Sequence, residues 1–233
     1  MRRSVLAAAV ICVLDVTAGA TPHAYTPPCT TDSHVVGRES CGERFGAWAS
    51  LFALMAGVDL EEVAHRFDAP SHVDGTSSQY GSYALTAQGD RAASSLGTRL
   101  RFRLDFGRIY DAFELELQRA SSSPMYEAMV GGEQGSAEMS TVFSTRLAIG
   151  IRQLWGRFAL GEELASGVDL VSYDGGGRSF LDDEFALELR LRGQIWVWPT
   201  VRVGVGGSIA LLDRHDLSMF VSIGADTRAF GGR

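Results

Sequence analysis

Two runs of alternating charged and apolar residues carry most of the chain's capacity for chemistry. Residues 98–106 read TRLRFRLDF, and residues 110–119 read YDAFELELQR. The charged positions spaced two apart are Arg99, Arg101, Arg103, Glu114 and Glu116. Side chains two residues apart share one face of a strand, so each run predicts a charged face and an apolar face. Because buried charges persist only when they are paired, arginine and glutamate on neighbouring strands predict ion pairs.

Nucleophilic catalysis would need a histidine close to a serine and an acid. His72 follows Ser71 and precedes Asp74, but all three lie in a stretch of common loop residues, and His215 lies in a polar turn. The sequence contains no G-x-S-x-G motif, no phosphate-binding loop and no closely spaced metal ligands. We therefore predict no enzymatic activity, no cofactor and no metal site. A membrane lipid hydrolase is the enzymatic alternative.

Composition narrows the class of protein. The chain has 233 residues, 45% of them hydrophobic, and a net charge of -7. This length allows one large domain or two small ones with a real core, and the composition excludes a disordered or collagen-like chain. All 21 basic residues are arginine. An acidic chain without lysine is a poor candidate for nonspecific nucleic-acid binding, which requires a clustered basic face.

The N-terminus has the features of a secretory signal peptide over residues 1–20. Two arginines precede a ten-residue apolar stretch, and Ala18-Gly19-Ala20 forms an A-x-A cleavage site. A cut after residue 24 is the alternative. The apolar stretch is too short to cross a bilayer as a helix.

Cleavage would leave two cysteines, Cys29 and Cys41, in an exported protein. An even pair in an oxidising compartment predicts one disulfide. The expected organisation is a signal peptide over residues 1–20, an N-terminal periplasmic segment with this disulfide over 21–45, and a β-barrel over 46–230.

From residue 98 onward the dominant pattern has period two, which predicts strands. The seven segments with this pattern are 98–106, 110–119, 143–152, 158–172, 184–192, 200–212 and 217–228. Residues 48–65 could form an amphipathic helix. However, the sequence LMAGVDL at 54–60 recurs as LASGVDL at 164–170, inside a predicted strand. We therefore interpret 48–65 as the first of eight strands and expect it to pair with the last.

Eight strands with alternating long and short connections predict an all-β fold, an antiparallel up-and-down barrel of the outer-membrane type. The long connections are residues 67–97 and 120–138. We expect these to be exposed loops at one end of the barrel, with tight turns at the other.

Alternation alone does not say whether the apolar face contacts lipid or a soluble core, because a soluble barrel has the same period. The polar face carries many small residues, as a narrow lumen filled with side chains requires. These are Ala148, Gly150, Ala186, Gly204, Gly206, Ser222 and Gly224. The apolar face is therefore predicted to contact lipid, and the alternative is a soluble periplasmic barrel that binds a small hydrophobic ligand.

Aromatic residues gather at one predicted end of the barrel. They are Trp48, Phe106, Tyr110, Trp155, Trp196 and Trp198. Aromatic rings with a polar atom favour the level of the lipid headgroups, so this end is predicted to lie at a membrane interface.

These strands and aromatic positions resemble the OmpA-type family of small eight-stranded outer-membrane barrels. The resemblance covers roughly residues 46–230 and rests on pattern, without a diagnostic motif. It implies a bacterial outer-membrane location. Such proteins usually end on an aromatic residue, whereas here Phe230 is followed by three further residues. A shared function does not follow from a shared architecture.

The predicted register of the first hairpin places Arg103 beside Glu114 and Arg101 beside Glu116, because the neighbouring register would set Leu104 against Asp111 on the lipid face. The lumen residues expected in all are Arg99, Arg101, Arg103, Glu114, Glu116, Arg146, Glu188, Arg190 and Arg202. Such a charge ladder would close the lumen to water. In 158–172, Glu162 falls on the apolar face, and a bulge at 162–163 would turn it inward.

The function predicted from these features is a closed outer-membrane barrel with a structural or surface-interaction role. Its expected partners are outer-membrane lipid and surface ligands that bind loops 67–97 and 120–138, and the chain is expected to be a monomer.

Overall fold

A computed structural model describes residues 54–106, 108–198, 200–212 and 216–226. The strands are β1 (Leu54–Asp68), β2 (His72–Ser77), β3 (Gly81–Gln88), β4 (Ala92–Phe106), β5 (Ile109–Ser122), β6 (Met125–Val130), β7 (Glu133–Trp155), β8 (Phe158–Gly175), β9 (Arg178–Trp198), β10 (Val201–Ala210) and β11 (Leu217–Asp226). The predicted signal peptide, the Cys29–Cys41 disulfide, Trp48, His215 and Phe230 lie outside the described residues.

Eight of these strands form a closed antiparallel ring in the order β1-β4-β5-β7-β8-β9-β10-β11. The ring closes where β1 pairs with β11, from Gly57 opposite Asp226 to Arg66 opposite Leu217. The prediction of an eight-stranded up-and-down barrel is confirmed. The ambiguous first segment is a strand rather than a helix wherever it is described, and it pairs with the last strand as expected.

The register fixes the tilt of the strands. A row of paired residues that starts at Phe185 on β9 passes once around the ring and returns to β9 at Ile195, ten residues away. With a strand spacing of about 4.8 Å and a rise of about 3.3 Å per residue, this stagger tilts the strands by about 40°. An eight-stranded ring of this kind has an interior just wide enough for side chains. We call this interior the lumen.

Side chains alternate strictly between the lumen and the outside, and the outer face is apolar. On β11, Leu217, Met219, Val221 and Ile223 are exposed, whereas the residues between them are buried. At the tilt of the strands, the outward positions of β11 cover a height of about 20 Å, close to the apolar band of membrane barrels. Charged side chains fill the inside, so the polarity of a soluble protein is reversed.

Two-residue turns connect the ring strands at one end, and the first of them corrects the predicted register. Phe106 pairs with Ile109, so Arg101 lies opposite Glu114 and Leu104 opposite Asp111. This register is two residues from the predicted one. The two-residue turn is the tightest hairpin connection, and it prevails over the cost of Asp111 on the outer face. That cost is small because Asp111 lies only two residues from the start of β5, near the rim.

The predicted bulge in β8 is also wrong. Glu162 and Glu163 pair without interruption with β7 and β9. Glu163 points into the lumen by simple alternation, and Glu162 remains half-buried on the outer face. A carboxylate on the lipid face is less costly than a basic group, which explains why no rearrangement is needed.

The long connections are folded rather than open loops. Segment 67–97 contains β2 and β3, and segment 120–138 contains β6 and the beginning of β7. Their pairing continues the sheet from β2 through β3 and β6 to Glu133–Glu138 of β7. Together with the parts of β8 and β9 beyond the ring, they form what we call the outer extension. A register shift near Ser140 on β7 separates it from the ring.

The outer extension has an apolar core, unlike the ring beneath it. Its buried residues are Phe67, Ala69, Val73, Tyr83, Leu85, Ala93, Tyr126, Ala128, Val130, Ala137, Met139, Val142, Val171, Tyr173 and Phe180. Because these residues pack together in one cluster above the lumen, the extension is a compact unit rather than a set of mobile loops.

The facing of the ring strands can be measured by thiol labelling. In variants that lack the native cysteines, Phe102→Cys and Leu104→Cys should react with a lipid-soluble thiol reagent and resist a bulky impermeant one, because both side chains point outward at the band. Ser78→Cys, in an exposed turn of the extension, should react with the impermeant reagent on intact cells. Reaction of positions 102 and 104 with the impermeant reagent alone would mean that the apolar face lies in water.

Candidate functional site

The lumen concentrates charge to a degree that sets it apart from an ordinary protein interior. Among the described residues, eight arginines and nine carboxylates are buried there, together with His65. The arginines are Arg99, Arg101, Arg103, Arg146, Arg152, Arg190, Arg192 and Arg202, and the acids are Asp59, Glu61, Asp105, Glu114, Glu116, Glu163, Asp169, Glu188 and Asp226. No member exposes more than 8% of its surface. The charges of these buried groups must nearly cancel, because an excess of buried charge costs free energy.

At the end of the ring with the short turns, Asp226 joins three strands. Its carboxylate accepts hydrogen bonds from Arg103 at 2.7 Å and from the Trp196 indole at 2.9 Å. Arg202 bonds both Asp226 and Asp59. Trp196 therefore lies inside the ring and is not the interface aromatic that its position in the sequence predicted, because alternation along β9 turns it toward the lumen. Charge-assisted bonds of this kind hold β4, β9, β10 and β11 together at this end.

In the middle of the lumen, Glu163 is the central acid. It lies 2.7 Å from Arg101 and accepts hydrogen bonds from Arg192 at 2.9 Å and from the Tyr110 hydroxyl at 2.8 Å. Tyr110 is thus also a lumen residue, which corrects its prediction as an interface aromatic. The Arg101 guanidinium lies 5.5 Å from the centre of the Tyr110 ring, a cation–π contact.

At the outer end of the lumen, Glu116 accepts bonds from Arg146 at 3.1 Å, and it lies 2.7 Å from both Arg99 and the His65 Nε2. The other ring nitrogen of His65 lies 3.0 Å from Asp216, in the connection between β10 and β11. His65 therefore links the lumen to this connection.

The structure brings the predicted lumen residues together, but with partners shifted by the observed register. Arg101 pairs with Glu114 at 3.3 Å, and Arg99 with Glu116 at 2.7 Å. Arg103 turns instead to Asp105 at 2.8 Å. The remaining predicted members also lie in the lumen, where Arg146 and Arg190 contact Glu188, and Arg202 contacts Asp59.

Sequence reasoning missed several members of the network. Asp59 and Glu61 were not predicted as lumen residues because the sequence of their segment fits both a strand and a helix. Glu163 was not predicted as a lumen residue because a bulge was expected at 162–163. Unbroken alternation along β8 would have placed Glu163 inside the ring. Arg192 alternates with predicted lumen residues on β9, and this signal could have found it.

The remaining predicted aromatic positions are accounted for in part. Trp155 and Trp198 are half or more exposed near the short turns, at 50% and 66%, and Phe106 is half-buried there. Their assignment to a membrane interface stays a prediction, and Trp48 is outside the described residues.

The contacts of the lumen connect the strands of the ring to one another. Each of the nine buried acids lies within ion-pair distance of at least one arginine, and the pairs connect strands on different sides of the ring. Within the described ranges, no group of three or more histidine, cysteine, aspartate or glutamate side chains could hold a metal ion. His72 contacts Thr86 at 3.1 Å and Asp74 at 3.0 Å on an exposed hairpin of the extension. The described part of the chain also contains no helix long and apolar enough to cross a membrane.

Tyrosines fasten the outer extension above the lumen. The Tyr83 hydroxyl donates to the carbonyl of Leu181 at 2.6 Å, and the Tyr126 hydroxyl donates to the carbonyl of Pro70 at 3.1 Å. Burial raises the pKa of Tyr83, so its phenol stays a neutral donor. The Tyr126 and Tyr173 rings meet edge to face at 5.1 Å.

Comparison with known proteins gives structural matches alone. No family profile and no curated protein matches the sequence. The crystal structure of Neisserial surface protein A is similar with 11% identity and a TM-score of 0.49, over 73% of this chain and 95% of that one. Ail, the attachment invasion locus protein of Yersinia pestis, solved with the heparin analogue sucrose octasulfate, is similar with 12% identity and a TM-score of 0.47, over 74% and 98%.

Two adjacent glutamates test the importance of the lumen network. Glu163→Ala leaves Arg101 and Arg192 without their shared acid, and it should lower the free energy of unfolding by about 3–5 kcal/mol. Glu162→Ala, on the outer face of the same strand, should be neutral or slightly stabilising. Urea unfolding in detergent micelles, followed by tryptophan fluorescence, measures both.

A double variant completes this experiment. Adding Arg101→Ala to Glu163→Ala should cost less than the sum of the two single changes, because fewer buried charges are then left unpaired. Equal losses from Glu162→Ala and Glu163→Ala would show that the lumen pairs do not carry the stability.

Proposed function

We propose that the chain is a β-barrel protein of the bacterial outer membrane, with a closed lumen and a folded outer extension that presents a surface for interaction. The observation that carries this proposal is the reversed polarity of the ring, which is apolar outside and charged inside.

The outer face supports a membrane location. Large apolar side chains such as Leu147, Val205 and Met219 are between 61% and 70% exposed, and similar residues surround the ring. A continuous apolar band of this size marks a membrane or protein contact, because soluble monomers rarely expose one. Since the ring closes without an unpaired edge, all its backbone groups can be satisfied in lipid. The closed ring also needs no second copy, which supports a monomer.

The soluble alternative is not favoured. A periplasmic barrel that binds a hydrophobic ligand needs an apolar interior, whereas the lumen described above holds paired charges. An enzymatic role has no support in the described contacts, since His72 lies on an exposed hairpin with Thr86 and Asp74.

Two layers support a closed lumen. Ion pairs from all sides of the ring fill its cross-section, as at Glu163, which lies between β4, β5 and β9. Above them, the apolar core of the extension covers the outer end. A layer of paired charged side chains followed by an apolar layer opposes a continuous path for ions.

The outer extension supports a surface-interaction role. It lies at the end opposite the short turns, which in outer-membrane barrels face the periplasm. Its hairpins are held by a common core, so they offer a rigid surface that loses little entropy on binding. Outer-membrane lipid around the band and surface ligands at the extension are the partners that follow.

Fractionation tests the location directly. The protein should remain in the membrane pellet after washes with high salt and with alkaline carbonate, and detergent should extract it. Release by mild osmotic shock, together with soluble periplasmic proteins, would overturn the proposal.

Protease treatment of intact cells tests the rigid extension. Trypsin should leave the wild-type extension uncut, because Arg178 pairs with Glu133 at the start of β9 and the Arg91 carbonyl accepts a hydrogen bond from the Ala69 amide. Phe180→Asp places a charge in the core, where Phe180 is 1% exposed, and should open the extension to cleavage. Leu181→Asp is the matched control, since this neighbour points outward and is 67% exposed. It should remain resistant, and rapid cleavage of the wild-type extension would contradict a folded unit.

A further inference from the structure

Two arginines stand at the outer border of the apolar band, on the face that points away from the lumen. Arg66 on β1 pairs with Leu217 on β11, and Arg119 on β5 pairs with Leu96 on β4. Both arginines are exposed, and so are the two leucines, at 55% and 59%. Each arginine therefore lies beside the outermost large apolar side chain of a neighbouring strand.

The tilt of the strands brings the two arginines to the same height. Arg66 lies opposite Ser94 on β4, whereas Arg119 lies opposite Leu96, two residues nearer the short turns. A row of paired residues descends by about 3 Å for each strand from β5 to β4 to β1, and two residues along a strand descend by about 5 Å. The two effects nearly cancel, so the heights of Arg66 and Arg119 agree to about 1 Å and their Cα atoms are about 12 Å apart. Arginine side chains are long enough to meet on one small group between them.

Three serine hydroxyls lie beside these arginines. A register shift next to Ser94 leaves Ser121 as an extra residue on β5, with Ser122 opposite Ser94. The Ser94 Oγ lies 2.9 Å from the Ser121 Oγ and 2.8 Å from the Ser122 Oγ, and Ser121 donates to the Ser94 carbonyl at 3.1 Å. When Ser94 donates to Ser122, the hydroxyl hydrogen of Ser122 is free for an acceptor from outside. We call Arg66, Ser94, Arg119, Ser121 and Ser122 the rim patch.

The arginines of the rim patch have no paired acid among the described residues. Neither forms an ion pair there, whereas every arginine of the lumen does. On the same face of β1, Asp68 lies two residues further out, and Glu62, four residues further in, accepts a hydrogen bond from Thr98 at 3.0 Å. The guanidinium donors are thus available to an anion at the border of the band, and their planar geometry matches a phosphate.

We propose that the rim patch binds the phosphate monoester of a lipid in the outer leaflet, whose acyl chains lie on the band below. Arg66 and Arg119 supply two positive charges, which balance the charge of nearly −2 that a phosphate monoester carries at neutral pH. Ser122 adds a neutral donor, and Leu96 and Leu117, 59% and 61% exposed, contact the chains. The proposal rests on the outer-membrane location proposed above and specifies the headgroup of the lipid partner.

Lipid binding to the purified protein in a nonionic detergent tests the headgroup. Native mass spectrometry counts the bound molecules as phosphatidic acid, a phosphate monoester, is added, and one molecule should bind with saturation. Phosphatidylglycerol, a diester with a single charge, should bind about tenfold more weakly, and phosphatidylcholine should show no saturable binding. Inorganic phosphate at the same concentration should not displace phosphatidic acid, because it has no chains to contact the band.

Variants of the rim patch test the residues. Arg119→Gln should weaken the binding of phosphatidic acid about tenfold, because it removes charge-assisted hydrogen bonds, and Arg66→Gln should act in the same direction. Arg157→Gln is the matched control, since it removes the same charge from an exposed turn at the opposite end of the ring, and it should leave the affinity unchanged. Asp68→Asn should not weaken binding, because this carboxylate repels the phosphate.

Three results would overturn the proposal while leaving the barrel assignment intact. Equal losses from Arg157→Gln and Arg119→Gln would mean that only net charge acts. Equal binding of phosphatidic acid and phosphatidylcholine would mean that the headgroup is not recognised, and displacement by inorganic phosphate would mean that the patch binds a free anion rather than a lipid. The comparison of lipids uses the wild-type protein, so it decides the question even if a variant does not fold. Release of the protein by osmotic shock would instead contradict the outer-membrane location.

Discussion

Pairing of arginine with carboxylate in the narrow lumen is the interaction on which the rest of the structure depends. An eight-stranded ring has room for side chains but little for water, and its outside must be apolar to meet lipid. Polar side chains therefore have to satisfy one another inside. Arginine suits this task better than lysine, because its planar group bonds acids on different strands at once, as Arg192 does with Glu61 on β1 and Glu163 on β8. The ring is thus fastened both by backbone bonds and by side chains that cross it.

The residues that face inward change from charged to apolar along the same strands. In the ring, β7, β8 and β9 turn charged residues inward, whereas in the extension they contribute Met139, Val171 and Phe180 to an apolar core. The change follows from the solvent on the other side of the sheet. Outside the ring is the apolar band, and outside the extension is water, so each part buries what its surroundings do not favour. The register shift near Ser140 marks the border.

The sequence revealed strand identity and facing well, because alternation depends only on neighbouring residues. It revealed register less well. The predicted first hairpin avoided Asp111 on the outer face, while the chain accepts that residue near the rim in exchange for a two-residue turn. Strands β2, β3 and β6 were missed although buried Tyr83 and Leu85, and buried Tyr126 and Ala128, are each spaced two residues apart. Such short runs gain their stability from distant partners, which a local pattern does not show. The point at which β9 loses its pairing with β10, at Glu188 opposite Ala210, is likewise a property of the assembled sheet.

The continuity of β7 has a mechanical consequence. Its 23 residues run without interruption from the tip of the extension to the short turns, a length of about 75 Å at the rise of a strand. A pull on the extension is therefore carried along the strand into the ring, where the hydrogen bonds to β5 and β8 are loaded side by side in shear rather than one after another. The same ladder of bonds that closes the ring thus also resists a pull applied to the extension.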